Sequence, residues 1–346
     1  MAVSTDLMEA KQLLSARLLT AGLQGNAVAT IFTHSVSEAV ASAKNNVHAV
    51  GVGKKIVDGK VTETSAVRIY VAQKIDLSLL SKKDRFPEMI DGIPTDIIET
   101  PPAFLTAILP VCTTKRKQRQ RPMVGGISIA QKNVTAGTIA YFCRSIKAGD
   151  DAAKIYVLSN NHVLADVNKA QIGDDIYQPG PLDGGTPVAN KAARLHRFVT
   201  INLGGQIANK VDAAIGELSA GVAINRRICK IGKINGVGQA IEDLEVRKHG
   251  RTSGYTEGIV TDESIDALVG MDHNNPNIVA RFTNQMRIER IAPFPAFGLG
   301  GDSGSLVVKK ATREAVGLYF AGPDSGIYGL ANHIADVIIE LEIQFL

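Results

Sequence analysis

Ser303 stands in FGLGGDSGSLVV (residues 297–308), a glycine-rich turn directly before an apolar strand. A serine hydroxyl does nucleophilic chemistry only where the backbone exposes it and aims N–H groups at the charge that develops. The N–H groups of Gly301 and Ser303 are spaced to form such an oxyanion hole. The hydroxyl also needs a base. Of the seven histidines, His162 has the most telling surroundings, since YVLSNNHVLA ends an apolar strand in a polar approach with an apolar exit. His48, His196, His249 and His333 have weaker contexts, and His34 falls on the polar side of an expected helix. A base in turn needs an acid that fixes its tautomer. Asp212, in NKVDAAIGEL (209–218), meets that need, because a carboxylate inside an apolar run is costly without a partner. Asp174, Asp175 and Asp183 sit in polar, turn-like stretches.

The order His162, Asp212, Ser303, with separations of 50 and 91 residues, is that of the chymotrypsin template rather than the α/β-hydrolase or subtilisin one. On SNNHVLA, VDAAIGEL and GGDSGSLVV, the last 220 or so residues resemble the trypsin-like serine proteases. KHGRTSGYTEGIV (248–260) is similar to a strand pair of the bacterial branches. YVLSNNHVLADVN, IGDDIYQPGPLDGG and VGLYFAG resemble, more narrowly, the Narrow Leaf type of plant protease and its bacterial relatives. The resemblance implies a mainly β fold, two six-stranded antiparallel β-barrels with a C-terminal helix, and peptide hydrolysis through an acyl-enzyme. It also implies catalytic roles for His162, Asp212 and Ser303, an oxyanion hole from Gly301 and Ser303, and no metal or other cofactor. Phe297, six residues before Ser303, falls where the specificity pocket is floored. Phe320 and Gly322 fall on the strand that pairs with a bound peptide, and Tyr319 where glutamate-specific relatives carry a histidine. An aromatic floor has no charge to pair with Lys or Arg, so small or apolar side chains are the expected preference. Val163 stands where animal members carry a disulfide cysteine. In trypsin-like zymogens the acid preceding the nucleophile pairs with a newly released amino terminus. Here Pro122 follows Arg121 and hinders that cut. Asp302 is therefore expected to be held by an internal arginine or by backbone N–H groups, in an intact, active chain.

Other elements must position these groups. Leu7, Leu14 and Leu18, flanked by Leu13 and Leu19, and then Val28, Ile31, Phe32, Val36, Ala39 and Val40, repeat at helical spacing. These amphipathic helices (1–45) dock on the next module or mediate self-association into a homo-oligomer. Residues 46–111 read as a small α+β module. Its hairpin turns at Asp58-Gly59, a polar helix-compatible stretch follows, and IDGIPTDIIE is a further strand. KRKQRQR (115–121) fills most of the basic linker 112–122, read as exposed and solvated rather than as a nucleic-acid patch. From 123 to 346, short Val- and Ile-rich runs alternate with Gly-rich turns until ANHIADVIIELEI (331–343), as in an all-β barrel domain closed by a helix.

Composition excludes several classes. A chain of 346 residues with 45% hydrophobic and 21% charged residues is globular rather than disordered. No apolar run approaches about 18 residues, so no membrane helix is expected. A net charge of +4 is too mild to argue for nucleic acid. Cys112, Cys143 and Cys229 are odd in number and widely spaced, which fits reduced thiols. The acidic N-terminus (Asp6, Glu9) is unlike a signal peptide, and the expected location is the cytoplasm. The expected partner is a protein or peptide substrate. The rival to an enzyme is a peptide-binding or oligomeric scaffold on a protease fold with a latent triad.

Overall fold

The computed structural model describes residues 4–20, 46–80, 85–104, 115–272, 275 and 277–346. The second N-terminal helix read between residues 28 and 40 lies outside them, as do His34 and Cys112. The chain divides into two compact units. One comprises Met1–Phe104, Asn202–Asn209 and Thr261–Arg287; the other comprises Leu105–Ile201, Lys210–Val260 and Ile288–Leu346. Among the described residues, no helix is long and apolar enough to cross a membrane.

In the first unit the strands Val47–Val57 and Lys60–Val71 form the expected hairpin. Asp58 and Gly59 both take positive φ (50° and 75°), the conformation that matches the twist of a two-residue hairpin. IDGIPTDIIE differs from its reading as one strand. Asp91 and Gly92 take positive φ as well (48° and 82°), and the segment is a short hairpin of Met89–Ile90 with Ile93–Glu99. Ile93–Glu99 then runs parallel to Lys60–Val71. On its other side, Val47–Val57 pairs with Ile265, Asp266 and Ala267 from far along the chain. The helix Thr5–Thr20 lays Leu7, Leu14, Leu18 and Leu19 on Val47, Val50, Val67 and Ile69. Each such fully buried aliphatic side chain is worth about 1.5–3 kcal/mol. Its apolar face is thus covered within the unit, while Leu13 points outward. Lys11 and Ser15 lie on the same buried face, and both bind Asp266, the lysine at 2.6 Å.

The second unit holds two β-barrels, as the fold expectation required. In the first, Gly137–Thr138 pairs with Ser128–Gln131, and its continuation Tyr141–Ser145 pairs with Tyr156–Ser159. Tyr156–Ser159 pairs with Ala214–Leu218, which pairs with Lys191–Phe198. Lys191–Phe198 pairs with Asp175–Tyr177, which returns to Ser128–Gln131. Counting Gly137–Ser145 as one bent strand, this closes a six-stranded antiparallel ring. The second ring runs Glu245–Gly250, the first part of Gly254–Gly270 (254–260), the end of Val279–Arg290 (288–290), Tyr328–His333, Ala315–Ala321 and Leu306–Lys309, and back to Glu245–Gly250, the rest of the two long strands belonging to the first unit. Ile129, Phe142, Val157, Ile176 and Leu195 fill the first barrel. Another core joins Tyr141, Leu158 and Ile215 of the first barrel to Leu306 and Leu318 of the second.

The C-terminal helix is shorter than its sequence pattern. Ala331–His333 completes the strand Tyr328–His333, and the helix is Ile334–Leu341. Its inner face (Ile334, Val337, Leu341) seals the core between the barrels. Ile343–Phe345 then adds a strand to Tyr141–Ser145.

Candidate active site

The strand Tyr156–Ser159 delivers His162 to the first turn of the four-residue helix Asn161–Leu164. Val163 and Leu164 anchor that turn in the barrel core. The two asparagines before the histidine fix its frame. Asn160 Nδ2 donates to the Asp212 carbonyl at 2.6 Å, and Asn161 Nδ2 donates to the Val199 carbonyl at 2.7 Å. Asp212 is fully buried, two residues before the strand Ala214–Leu218. Its Oδ2 lies 2.5 Å from His162 Nδ1, and its Oδ1 accepts the His162 backbone N–H at 3.2 Å. Both contacts orient the ring so that Nε2 is left for a proton acceptor's work. The Asp212 N–H donates to Asn332 Oδ1 on a strand of the second barrel.

Ser303 is nearly buried, and its Oγ donates to the Phe320 carbonyl at 3.2 Å. Among the described residues, no hydrogen bond joins Ser303 to His162. The turn that carries it is pinned to the first barrel. Thr138 N–H donates to the Ser303 carbonyl, Thr138 Oγ1 to the Gly301 carbonyl, and Ser159 Oγ to the Thr138 carbonyl. Gly304, at φ 92°, packs so closely that a Cβ there would meet Ser159 Oγ at 2.1 Å. The serine turn is therefore pressed against the strand that ends three residues before His162. In that turn the N–H groups of Asp302, Gly304 and Ser305 donate to backbone carbonyls. Among the described residues those of Gly301 and Ser303 donate to none, and Gly301 takes φ 89°.

Asp302 explains why the turn holds this shape. Its carboxylate is fully buried and receives four donors. Lys248 Nζ approaches Oδ2 at 3.0 Å and Leu299 N–H donates to the same oxygen at 2.9 Å. The N–H groups of Thr252 and Ser253 donate to Oδ1 at 2.7 and 3.0 Å. Burial pushes the Asp302 carboxyl up, but the Lys248 charge and the donors of Ser253 and Leu299 outweigh it and hold it below the usual carboxylate range. The internal donor expected for Asp302 is thus a lysine with backbone N–H groups, not an arginine. Lys248 alternates with Val246 on the inward face of Glu245–Gly250, and this period of two was the available signal for it.

Phe297 is fully buried. Its ring meets Tyr319 edge-on at 6.1 Å, and Lys248 Nζ lies 5.5 Å from its centroid. The Tyr319 ring occupies the space between three glycines. A Cβ would meet it at 2.5 Å on Gly298 and on Gly329, and would meet its Oη at 3.1 Å on Gly322. Phe320 points its side chain into the core and its carbonyl toward Ser303.

Next to Lys248, His249 is buried with Nδ1 on the Gly126 carbonyl at 3.0 Å. Burial pushes its imidazole down to about 4. The folded chain therefore keeps His249 neutral where the unfolded chain, with a pKa near about 6.5, takes up a proton. The stability this gives is complete above about pH 6.5 and is lost as pH falls toward 4, by roughly 3 kcal/mol in all. Melting midpoints of wild type and His249→Gln between pH 7 and 4.5 measure it; the expected result is a flatter acid slope in the variant, and equal slopes would refute the assignment.

No protein-family model matches the chain, and no protein of curated function matches it. Among solved structures it is similar to Thermobifida fusca protease A, with 14% identity and a TM-score of 0.43 over 64% of this chain and 97% of that one. It is similar to Nocardiopsis protease, with 11% identity and a TM-score of 0.44 over 64% and 97%. A glutamic acid-specific serine protease gives 16% identity and a TM-score of 0.45 over 65% and 100%.

Proposed function

We propose that this chain is a serine endopeptidase of the trypsin-like, chymotrypsin-fold type, with its catalytic domain in residues 123–346. The observation that carries the reading is the Asp212–His162 pair at 2.5 Å, set in the same unit as a serine turn in which, among the described residues, the N–H groups of Gly301 and Ser303 donate to no backbone carbonyl. Ser303 Oγ attacks the peptide carbonyl while His162 Nε2 takes its proton. Asp212 holds the imidazolium that forms. The N–H groups of Gly301 and Ser303 receive the oxyanion, and His162 then protonates the leaving amine. Water repeats the sequence on the acyl-enzyme. The acid–base part contributes typically about 10²–10⁴-fold, and one oxyanion donor about 10²–10³-fold. Every proton is moved by these side chains, so the reaction as written uses no cofactor.

The substrate is a protein or peptide that adds as a strand beside Phe320 and Gly322. Phe297 and Tyr319 favour small or apolar side chains before the scissile bond. The reading includes a cytoplasmic location and kinship with the Narrow Leaf type and its bacterial relatives. One observation favours the scaffold alternative: Ser303 Oγ donates to Phe320 and not to His162. A fluorophosphonate probe separates the two. Labelling of wild type but not of Ser303→Ala supports the enzyme; an inert Ser303 in folded protein supports the scaffold.

A further inference from the structure

The hydrolytic reading leaves the basic run 115–121 without a role. The run is part-exposed, with Lys115, Gln118 and Arg119 at the surface, yet several of its residues are tied down by hydrogen bonds. Arg119 donates to the Ala189 carbonyl, Arg121 and the Gln120 N–H bind Gln178, and Gln178 donates back to the Gln118 carbonyl. Arg116 is placed differently from these. Its Nε donates to the Arg251 carbonyl and its Nη2 to the Thr252 carbonyl, each at 2.8 Å.

Those two carbonyls belong to the turn that holds Asp302. The N–H groups of Thr252 and Ser253 reach Asp302 Oδ1, and Thr252 Oγ1 donates to the Gly300 carbonyl at 2.5 Å. The turn also touches the oxyanion loop itself, since a Cβ on Gly301 would meet Thr252 Oγ1 at 2.8 Å. For two successive N–H groups to converge on one carboxylate oxygen, the turn must hold its neighbouring carbonyls on a fixed course. A planar guanidinium fork can bind two successive carbonyls at once, whereas an ammonium is a single point charge. The site is built to the fork: Gly254 takes φ 70°, and a Cβ there would meet Arg116 Nη1 at 3.0 Å. On the far side Arg251 is itself held, with Nε on Asp183 Oδ2 at 2.8 Å and Nη2 on Asp183 Oδ1.

We propose that Arg116 is a positioning residue for the oxyanion hole, clamping the 251–253 turn so that Asp302 and, through it, the Gly301 and Ser303 N–H groups keep their aim. This rests on the hydrolytic reading above. It also reverses the role usual for a basic run ahead of such a domain. A cut between Arg116 and Pro122 would release the clamp and lower activity, where activation by cleavage would raise it.

The test compares full-length wild type, Arg116→Ala and Arg116→Lys. Probe-labelling rates at Ser303, kcat and KM on a peptide ester, and deuterium uptake by peptides covering 250–255 and 299–305 are measured. Removing a whole oxyanion donor costs about 10²–10³-fold, so a misaligned pair in Arg116→Ala is expected to slow labelling and kcat about 10- to 100-fold with KM little changed. Uptake in both peptides should rise, methylguanidinium should restore part of the rate to Arg116→Ala, and Arg116→Lys should fall between. Labelling within twofold of wild type overturns the proposal, even if uptake rises. If Arg116→Ala fails to fold, Arg116→Lys decides, and wild-type rates in it overturn the clamp. If wild type itself does not label, the hydrolytic reading falls, and unchanged uptake in the variants overturns the clamp separately.

Discussion

Ser303→Ala, His162→Ala and Asp212→Asn should each remove most turnover and leave the fold intact. The reason is geometric. Asp212 contacts His162 through both its ring and its backbone, and an amide in its place offers the ring a donor as well as an acceptor, so the tautomer that leaves Nε2 free to accept a proton is no longer fixed. In the proposed mechanism, losing either the base or the nucleophile leaves only the oxyanion hole and substrate binding. Residues that act as one unit give non-additive losses: the full unit is worth on the order of 10⁶-fold in kcat, and the residue left is about 10³–10⁴-fold over water. Turnover of a peptide ester by the single, double and triple variants checks this. A triple variant whose loss equals the product of the three single losses would falsify the assignment of a triad.

Lys248→Met should be the most damaging change outside those three residues. It leaves Asp302 charged, buried and short of its only cation among the described residues. Breaking a buried pair in this way costs about 3–5 kcal/mol, which lowers the melting midpoint by roughly 10 °C for a domain of this size. The turn would then yield, and labelling of Ser303 should fall with the melting point. Lys248→Met combined with Asp302→Asn removes the unpaired charge, so it should regain stability without regaining the labelling rate. Equal stability of Lys248→Met and wild type would refute the pairing. The pH dependence has a fixed sign. Asp302 titrates below its unfolded value, so its contribution is fully present above about pH 4 and is lost as pH falls through the lower, folded value.

Much of this was legible in the sequence because local chemistry revealed it. A carboxylate inside VDAAIGEL and a histidine closing an apolar strand each demanded a partner, and the structure brings them together. Asp58-Gly59 announced its hairpin because few residues accept the left-handed backbone there. What stayed hidden was pairing at a distance. Lys248 and Asp302 lie 54 residues apart, and nothing local to either names the other. Arg116 sits in a run whose composition looks solvated, and its acceptors are backbone carbonyls 135 and 136 residues away, which carry no side-chain signature. Asp91-Gly92 escaped because one of its strands is two residues long, too short for alternation to show. The strand Gly254–Gly270 outran its reading for a related reason. Its first residues pair in the second barrel and its last in the other unit, so no single period describes it.

The bond from Ser303 Oγ to the Phe320 carbonyl carries a kinetic consequence. A peptide lying along Phe320 would offer an N–H to that same carbonyl. The ligand and the nucleophile then compete for one acceptor, and occupation by the ligand turns the hydroxyl loose toward His162. Binding energy along the chain of the substrate would be drawn into arming the serine rather than into affinity. Substrates extended toward their amino end should therefore gain in kcat while KM stays nearly level, and minimal esters that cannot reach Phe320 should turn over slowly however well they fit.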